Sequence, residues 1–262
     1  WKASWPDNLP GGAYSGGSYK WEDPQYYYTK INEGKDWLFK DETGIPSQVP
    51  YESLAKNIPT LVHDTTLPYP FNNDWGYLDA CSGNGKYNLY YYEMIKRLGA
   101  PVSLKDFSDK MQIMNADGYR GIFEASGHKL NDNGGVLLWK LNPAFPSVIW
   151  QIFDYYLAPN AGYYTMQAAC EKLHVQLNLN DSVVAVVNRQ YESFNNLTVD
   201  AAVYDINGMQ LFKQSSQLNI NESDVKETIS LAAVLSKYTE LSFVVLNLKD
   251  AKGNPVSHNV YW

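Results

Sequence analysis

The chain has 262 residues, 45% hydrophobic and 19% charged, with 21 Lys plus Arg against 28 Asp plus Glu for a formal net charge of −7. That hydrophobic share excludes a disordered or collagen-like chain, and the acidic balance offers no basic face for nucleic acid. No apolar run reaches the roughly 18 residues that a membrane-spanning helix needs. Aromatic residues are abundant, with 8 Trp, 21 Tyr and 9 Phe. Such rings fill cores, and their flat faces also stack on the C–H faces of sugars; composition favours the core for most of them.

Taken in order, the first 35 residues are rich in Gly, Pro and aromatics, as in Leu9-Pro10-Gly11-Gly12 and Gly16-Gly17-Ser18-Tyr19-Lys20-Trp21. They are predicted to form a long loop, of the kind that lines a site or stays disordered. Trp37–Lys40 reads as a short aromatic strand running into Asp41-Glu42-Thr43-Gly44, and Pro50–Ile58 as a short helix. Residues 87–98 place Tyr91, Met94, Ile95 and Leu98 on one helical stripe, with Gly99 as the C-cap. A second helix starts at Ser103 with Asp106 three residues on, and its apolar face continues to about Ser126. Val136–Leu141 is a continuous apolar run, predicted to be a strand buried on both faces. Ser147–Leu157 and Tyr163–Leu173 read as helices, separated by Pro159-Asn160-Ala161-Gly162.

From His174 the pattern changes. Val175, Leu177 and Leu179 alternate with polar residues, 182–187 is Ser-Val-Val-Ala-Val-Val, and Val199, Ala201 and Val203 alternate up to the hairpin signal Asn207-Gly208. Met209–Phe212, Thr228–Leu231, Leu241–Leu248 and Val256–Trp262 supply further strands, with Gly253-Asn254-Pro255 as a turn. This density of short strands predicts an immunoglobulin-like β-sandwich, without the Cys-Trp-Cys signature of antibody domains. Two domains are therefore expected, 1–173 and 174–262.

Negative signals narrow the chemistry. Cys81 and Cys170 make neither a disulfide framework nor a zinc site, and are expected as buried thiols, with a single bridge the alternative. His63, His128, His174 and His258 show no metal-ligand spacing, and no dinucleotide, P-loop or GxSxG motif is present, so no cofactor or metal is predicted. The opening Trp1-Lys2-Ala3-Ser4 suggests a processed or trimmed chain, which leaves localisation open, with secreted or periplasmic favoured. A (β/α)₈ barrel needs about 200–250 residues, yet the first half offers two convincing strands. It is either a different α+β fold or a piece of something longer.

Glu42 follows an aromatic strand, and Trp139 lies in the next candidate strand. Taken alone, Glu42 fits an ordinary surface turn and Trp139 a core residue. A carboxylate beside aromatic walls is also what glycoside hydrolysis uses. Tyr19-Lys20-Trp21 with Pro24, and Phe39-Lys40-Asp41-Glu42-Thr43-Gly44 with Pro46, resemble the nucleophile region of glycoside hydrolase family 2. Tyr119-Arg120-Gly121-Ile122-Phe123-Glu124-Ala125, Gly135-Val136-Leu137-Leu138-Trp139-Lys140-Leu141-Asn142 and Phe145-Pro146-Ser147 resemble its exo-β-D-glucosaminidase and β-mannosidase-like branch. Glu171-Lys172-Leu173-His174-Val175-Gln176 and Ser257-His258-Asn259-Val260-Tyr261-Trp262 resemble the entry to and close of that branch's immunoglobulin-like domain.

The resemblance implies that residues 1–173 are the C-terminal portion of a TIM-barrel catalytic domain and 174–262 an immunoglobulin-like sandwich. It implies a retaining exo-β-glycosidase acting on terminal β-linked glucosamine or mannose. Glu42 would be the nucleophile, Trp139 the floor of the sugar subsite with Asn142 nearby, and Tyr19 and Trp21 the aromatic loop over the same pocket. Glu124 and Asp154, both placed in helices, are read as structural. The family's acid/base lies on an earlier strand, so the rest of the parent enzyme is expected upstream and the isolated chain is expected to be inactive. Tyr77-Leu78-Asp79 departs from the family, which often carries a histidine after that tyrosine. The expected partner is a carbohydrate substrate, with no nucleic acid and no membrane. The competing reading is a non-catalytic carbohydrate-binding or interaction module carried by the immunoglobulin-like domain.

Overall fold

A computed structural model of the chain describes residues 13–14, 19–32, 39–64, 67, 69–78, 86–238 and 240–262. They fall into two units. The first holds residues up to 26, 38–122 and 135–166; the second holds 27–37, 123–134 and 167–262. The fold mixes α and β, with most strands in the second unit.

In the first unit, strands β1 (Ala13–Tyr14), β2 (Phe39–Thr43) and β3 (Val136–Leu138) form a parallel sheet in that order among the described residues. Helix α1 (Pro24–Asn32) lies between β1 and β2 in sequence. Between β2 and β3 come α2 (Tyr51–Asn57), α3 (Asn73–Tyr77), α4 (Lys86–Leu98) and α5 (Leu104–His128). Parallel neighbours joined through helices are the βα arrangement. β3 pairs with β2 through Lys40 opposite Val136 and Thr43 opposite Leu138.

Helices α2, α4 and α5 match their sequence readings. Gly99, at φ +78°, ends α4 with its amide on the Ile95 carbonyl at 2.8 Å. Ser103 Oγ accepts the Asp106 amide at 3.1 Å at the start of α5. The core beneath is aromatic. Phe71 meets Trp75 at 4.6 Å and Phe107 at 5.0 Å between ring centroids, and Trp75 meets Tyr87 at 5.2 Å. Buried tyrosines still place their hydroxyls: Tyr91 donates to the Leu67 carbonyl at 2.8 Å and Tyr90 to the Met111 carbonyl at 3.2 Å.

Three expectations need correction here. Residues 24–32 are helical rather than loop, because Asp23 accepts the Gln25 amide at 3.0 Å and Pro24 suits a first helical turn. The 136–141 run is a three-residue strand, and Leu137, Trp139 and Leu141 are exposed, because β3 lies at the edge of its sheet among the described residues. Residues 147–157 form turns, not a helix; Asp154 Oδ1 accepts the amides of Tyr156 and Ala158 at 2.8 and 2.9 Å and closes a turn instead.

The second unit is a sandwich of β4 (Leu173–Asn178), β5 (Val183–Asn188), β6 (Phe194–Asp205), β7 (Gln210–Ile220), β8 (Asp224–Ser230), β9 (Ser242–Lys249) and β10 (Pro255–Tyr261). One sheet runs β10-β9-β6-β7 and the other β4-β5-β8, with antiparallel pairing. Val175, Leu177, Val184, Val186, Val199, Ala201, Val203, Leu246 and Leu248 fill the space between them. Helices α6 (Ala161–Ala169), which starts two residues earlier than Tyr163 and ends before Leu173, and α7 (Ala232–Leu235) complete the chain. The turns at Gly208 and Gly253 have φ +81° and +85°, as their sequence signals required. Cys170, expected buried, is a free and exposed thiol beside the end of α6; Cys81 lies outside the described residues.

Candidate active site

Glu42 sits near the C-terminal end of β2 and is half-buried. Thr43, the next residue, accepts the Trp139 amide at 2.7 Å through its carbonyl. That bond sets the strand end carrying Glu42 next to the backbone of Trp139, which is 46% exposed. Gly44 is required by the same approach. A Cβ there would lie 2.2 Å from the Trp139 carbonyl oxygen, closer than any side chain tolerates. The following stretch, Gly44–Val49, is buried, and its course is fixed by Asn115 on α5. Asn115 donates to the Gln48 carbonyl at 2.8 Å and accepts the Gln48 amide at 3.0 Å.

Trp139 is held from its other side as well. The peptide to Lys140 is cis, the Lys140 amide donates to the Trp150 carbonyl at 2.7 Å, and the Ile152 amide donates to the Lys140 carbonyl at 3.2 Å. Trp150 itself has φ +69°, a conformation that costs a bulky residue energy and persists only where its surroundings enforce it. Its ring lies 6.0 Å from that of Tyr19, which also has a positive φ, +47°. The ammonium of Lys86 stands 4.9 Å above the Tyr19 ring, and burial together with nearby Lys20 lowers the Lys86 pKa.

Tyr19, Glu42 and Trp139 are thus linked through Trp150 and Thr43, while Asn142 is exposed three residues beyond Trp139. Trp21 is placed differently. It is buried, its indole N–H donates to the Met114 carbonyl at 3.0 Å, and the Arg97 guanidinium lies 5.1 Å from its ring centroid. Arg97 in turn pairs with Asp23 at 3.1 Å and Asp117 at 3.2 Å. Trp150 falls in a segment whose spacing predicts a helix, and its positive φ has no local sequence signal. Among the described residues, no cluster of His, Cys, Asp and Glu could hold a metal.

Among the described residues the sandwich also carries a shallow groove of about 500 Å³ lined by Asn196, Gln217, Leu218, Asn219, Lys226, Glu227 and Thr228. It is polar and presents no aromatic ring as a stacking platform.

Residues 181–262 match the Mannosidase Ig/CBM-like domain family. The chain is 30% identical over 261 residues to an exo-β-D-glucosaminidase of Hypocrea virens, covering 97% of this chain and 29% of that protein. The Amycolatopsis orientalis exo-chitosanase CsxA, solved in complex with PNP-β-D-glucosamine, superimposes with a TM-score of 0.79 at 25% identity, over 94% of this chain and 30% of that one. A β-D-mannosidase of Dictyoglomus thermophilum shares the fold, with a TM-score of 0.70 at 16% identity over 92% of this chain and 28% of that one. The chain is therefore similar to the glycoside hydrolases of family 2. Within them it resembles the branch of exo-β-D-glucosaminidases and β-mannosidases, along nearly its whole length. It spans less than a third of the length of these relatives.

Proposed function

We propose that this chain is the C-terminal part of a retaining exo-β-glycosidase that removes terminal β-linked glucosamine, or mannose, from an oligosaccharide. Residues 1–173 would contribute the last strands of a (β/α)₈ barrel and residues 174–262 the immunoglobulin-like domain. The observation that carries this reading is the junction of β2 and β3, where Glu42 emerges beside an exposed Trp139 at the C-terminal ends of parallel strands. Barrel enzymes assemble their catalytic groups at that end. The family resemblance, and the PNP-β-D-glucosamine bound by the similar exo-chitosanase, support the substrate class.

Glu42 would attack the anomeric carbon as the leaving oxygen takes a proton from an acid supplied by the parent's upstream strands. Water would then release the glycosyl-enzyme. Trp139 and Tyr19 offer aromatic faces to the sugar ring, Asn142 a side-chain amide to its hydroxyls, and Trp21 anchors the aromatic loop from below.

The test is covalent trapping of the full-length parent with a 2-fluoro glycoside, followed by peptide mapping. A label on Glu42 is expected; a label on any other residue overturns the assignment. The 262-residue chain alone is expected to show no turnover of aryl β-glycosides, and measurable turnover would count against an acid supplied from upstream.

A further inference from the structure

The two motifs that enter and close the sandwich, around His174 and around Ser257–Tyr261, converge on one buried polar cluster in the second unit. His174 on β4 is fully buried, and each ring nitrogen faces a carboxylate. Nδ1 lies 3.1 Å from Glu171 Oε2, and Nε2 lies 3.2 Å from Glu124 Oε1. Glu124, in the last turns of α5, is itself almost fully buried. Its carboxylate accepts from Asn259 Nδ2 at 2.6 Å and from the Tyr261 hydroxyl at 2.8–2.9 Å, with the Tyr28 hydroxyl of α1 at 3.5 Å. Glu171 accepts from Ser257 Oγ at 2.5 Å.

These partners settle the proton count. The Glu171 carboxylate, facing donors from His174 and Ser257, is held in its ionised, acceptor-only form. A neutral imidazole carries one N–H, so one of its two carboxylate contacts would set a lone pair against a negative oxygen. Only the imidazolium donates to both. Ser257 is no nucleophile here, since its hydroxyl donates to Glu171 and accepts the Val175 amide at 3.2 Å. The other charged group near the cluster is Arg189, after β5, whose guanidinium donates to the Glu171 carbonyl at 3.1 Å.

We propose that Glu124, His174 and Glu171 form a proton-dependent fastener, closed while the imidazolium bridges both carboxylates and loosened when that proton leaves. It joins the last turns of α5 to β4, and through Asn259 and Tyr261 to β10. The energetics run the same way. Burial opposes the charge on His174, but the hydrogen bonds and fields of Glu124 and Glu171 outweigh it and raise its pKa. Burial likewise opposes the charge on Glu171, and His174 and Ser257 overcome it, so that its pKa is lowered.

The experiment is a pH titration of the 262-residue chain by NMR, following the His174 ring signals and the exchange of backbone amides. His174 is expected to titrate above the ordinary 6.5. As it does, the Val175 and Leu177 amides, bound to Ser257 Oγ and the Tyr261 hydroxyl, should lose about tenfold in protection relative to β6 and β9 amides. In H174Q that relative loss should vanish. A His174 midpoint at or below 6.5, or unchanged relative protection through its titration, overturns the proposal. If H174Q does not fold, E171Q supplies the variant: losing one carboxylate should move the His174 midpoint down, and an unmoved midpoint counts against the bridge.

Discussion

The carbonyl of Thr43 accepts the amide of Trp139 at 2.7 Å, and this single backbone bond sets the residue after Glu42 against the residue that presents the exposed indole. The backbones of the two strand ends are therefore held together by main chain, which is stiffer than a side-chain contact. Gly44 is the condition for that closeness.

Gly44→Ala tests the condition directly. The added Cβ would meet the Trp139 carbonyl oxygen, which is backbone and cannot swing aside. The variant is expected to lose about 1–3 kcal/mol of stability. In the full-length parent kcat should fall more than KM rises, because the strand end shifts beneath Glu42. Denaturant melts and steady-state kinetics check the two effects.

Trp21 separates anchoring from contact. Trp21→Phe removes the hydrogen bond to the Met114 carbonyl and should cost about 1 kcal/mol. Trp21→Ala removes the buried ring and should cost about 3–5 kcal/mol. Urea unfolding measures both. In the parent, Trp139→Ala should raise KM strongly with little loss of stability, since that residue is half exposed.

Asp200 and Lys249 predict an acid-side pH dependence. Lys249 Nζ bonds Asp200 Oδ2 at 2.7 Å, and Ser215 on the facing strand donates to the same carboxylate, so the Asp200 pKa is lowered. The contribution is present above the unfolded value near 3.8 and fades as pH falls through the depressed folded value. Asp200→Asn should cost about 0.5–1 kcal/mol at pH 7, the range for a pair near the surface. The difference should close at strongly acid pH, as read from thermal melts across the range.

Gly208 offers a contrast with Gly44. It has φ +81°, and a Cβ added there would meet nothing within 4 Å, so Gly208→Ala should cost only the backbone strain, about 1 kcal/mol. A loss of about 3 kcal/mol or more would mean that the hairpin turn does more than reverse the chain.

The sandwich was legible because its code is local: alternation in Val199–Val203 and the Asn207-Gly208 turn each specify structure within a few residues. Helices α4 and α5 were legible for the same reason, through Gly99 and Ser103. Residues 147–157 were misread because Asp154 draws the Tyr156 and Ala158 amides into a turn, although the aromatic spacing suits a helix. His174 and Gln176 looked like the outward polar half of an alternating strand, yet both are buried. Their partners, Glu124 and Asn259, lie far away in sequence, and no window of residues could have revealed them.

The clamp of β10 on β4 has a consequence for association. Ser257 and Tyr261 take the Val175 and Leu177 amides, and Asn259 takes the Val175 carbonyl at 3.2 Å. Side chains thus occupy the hydrogen-bonding rim that a foreign strand would use as a template. A chain deprived of Ser257–Tyr261 would uncover that rim, and its first failure would be strand-to-strand self-assembly rather than simple loosening.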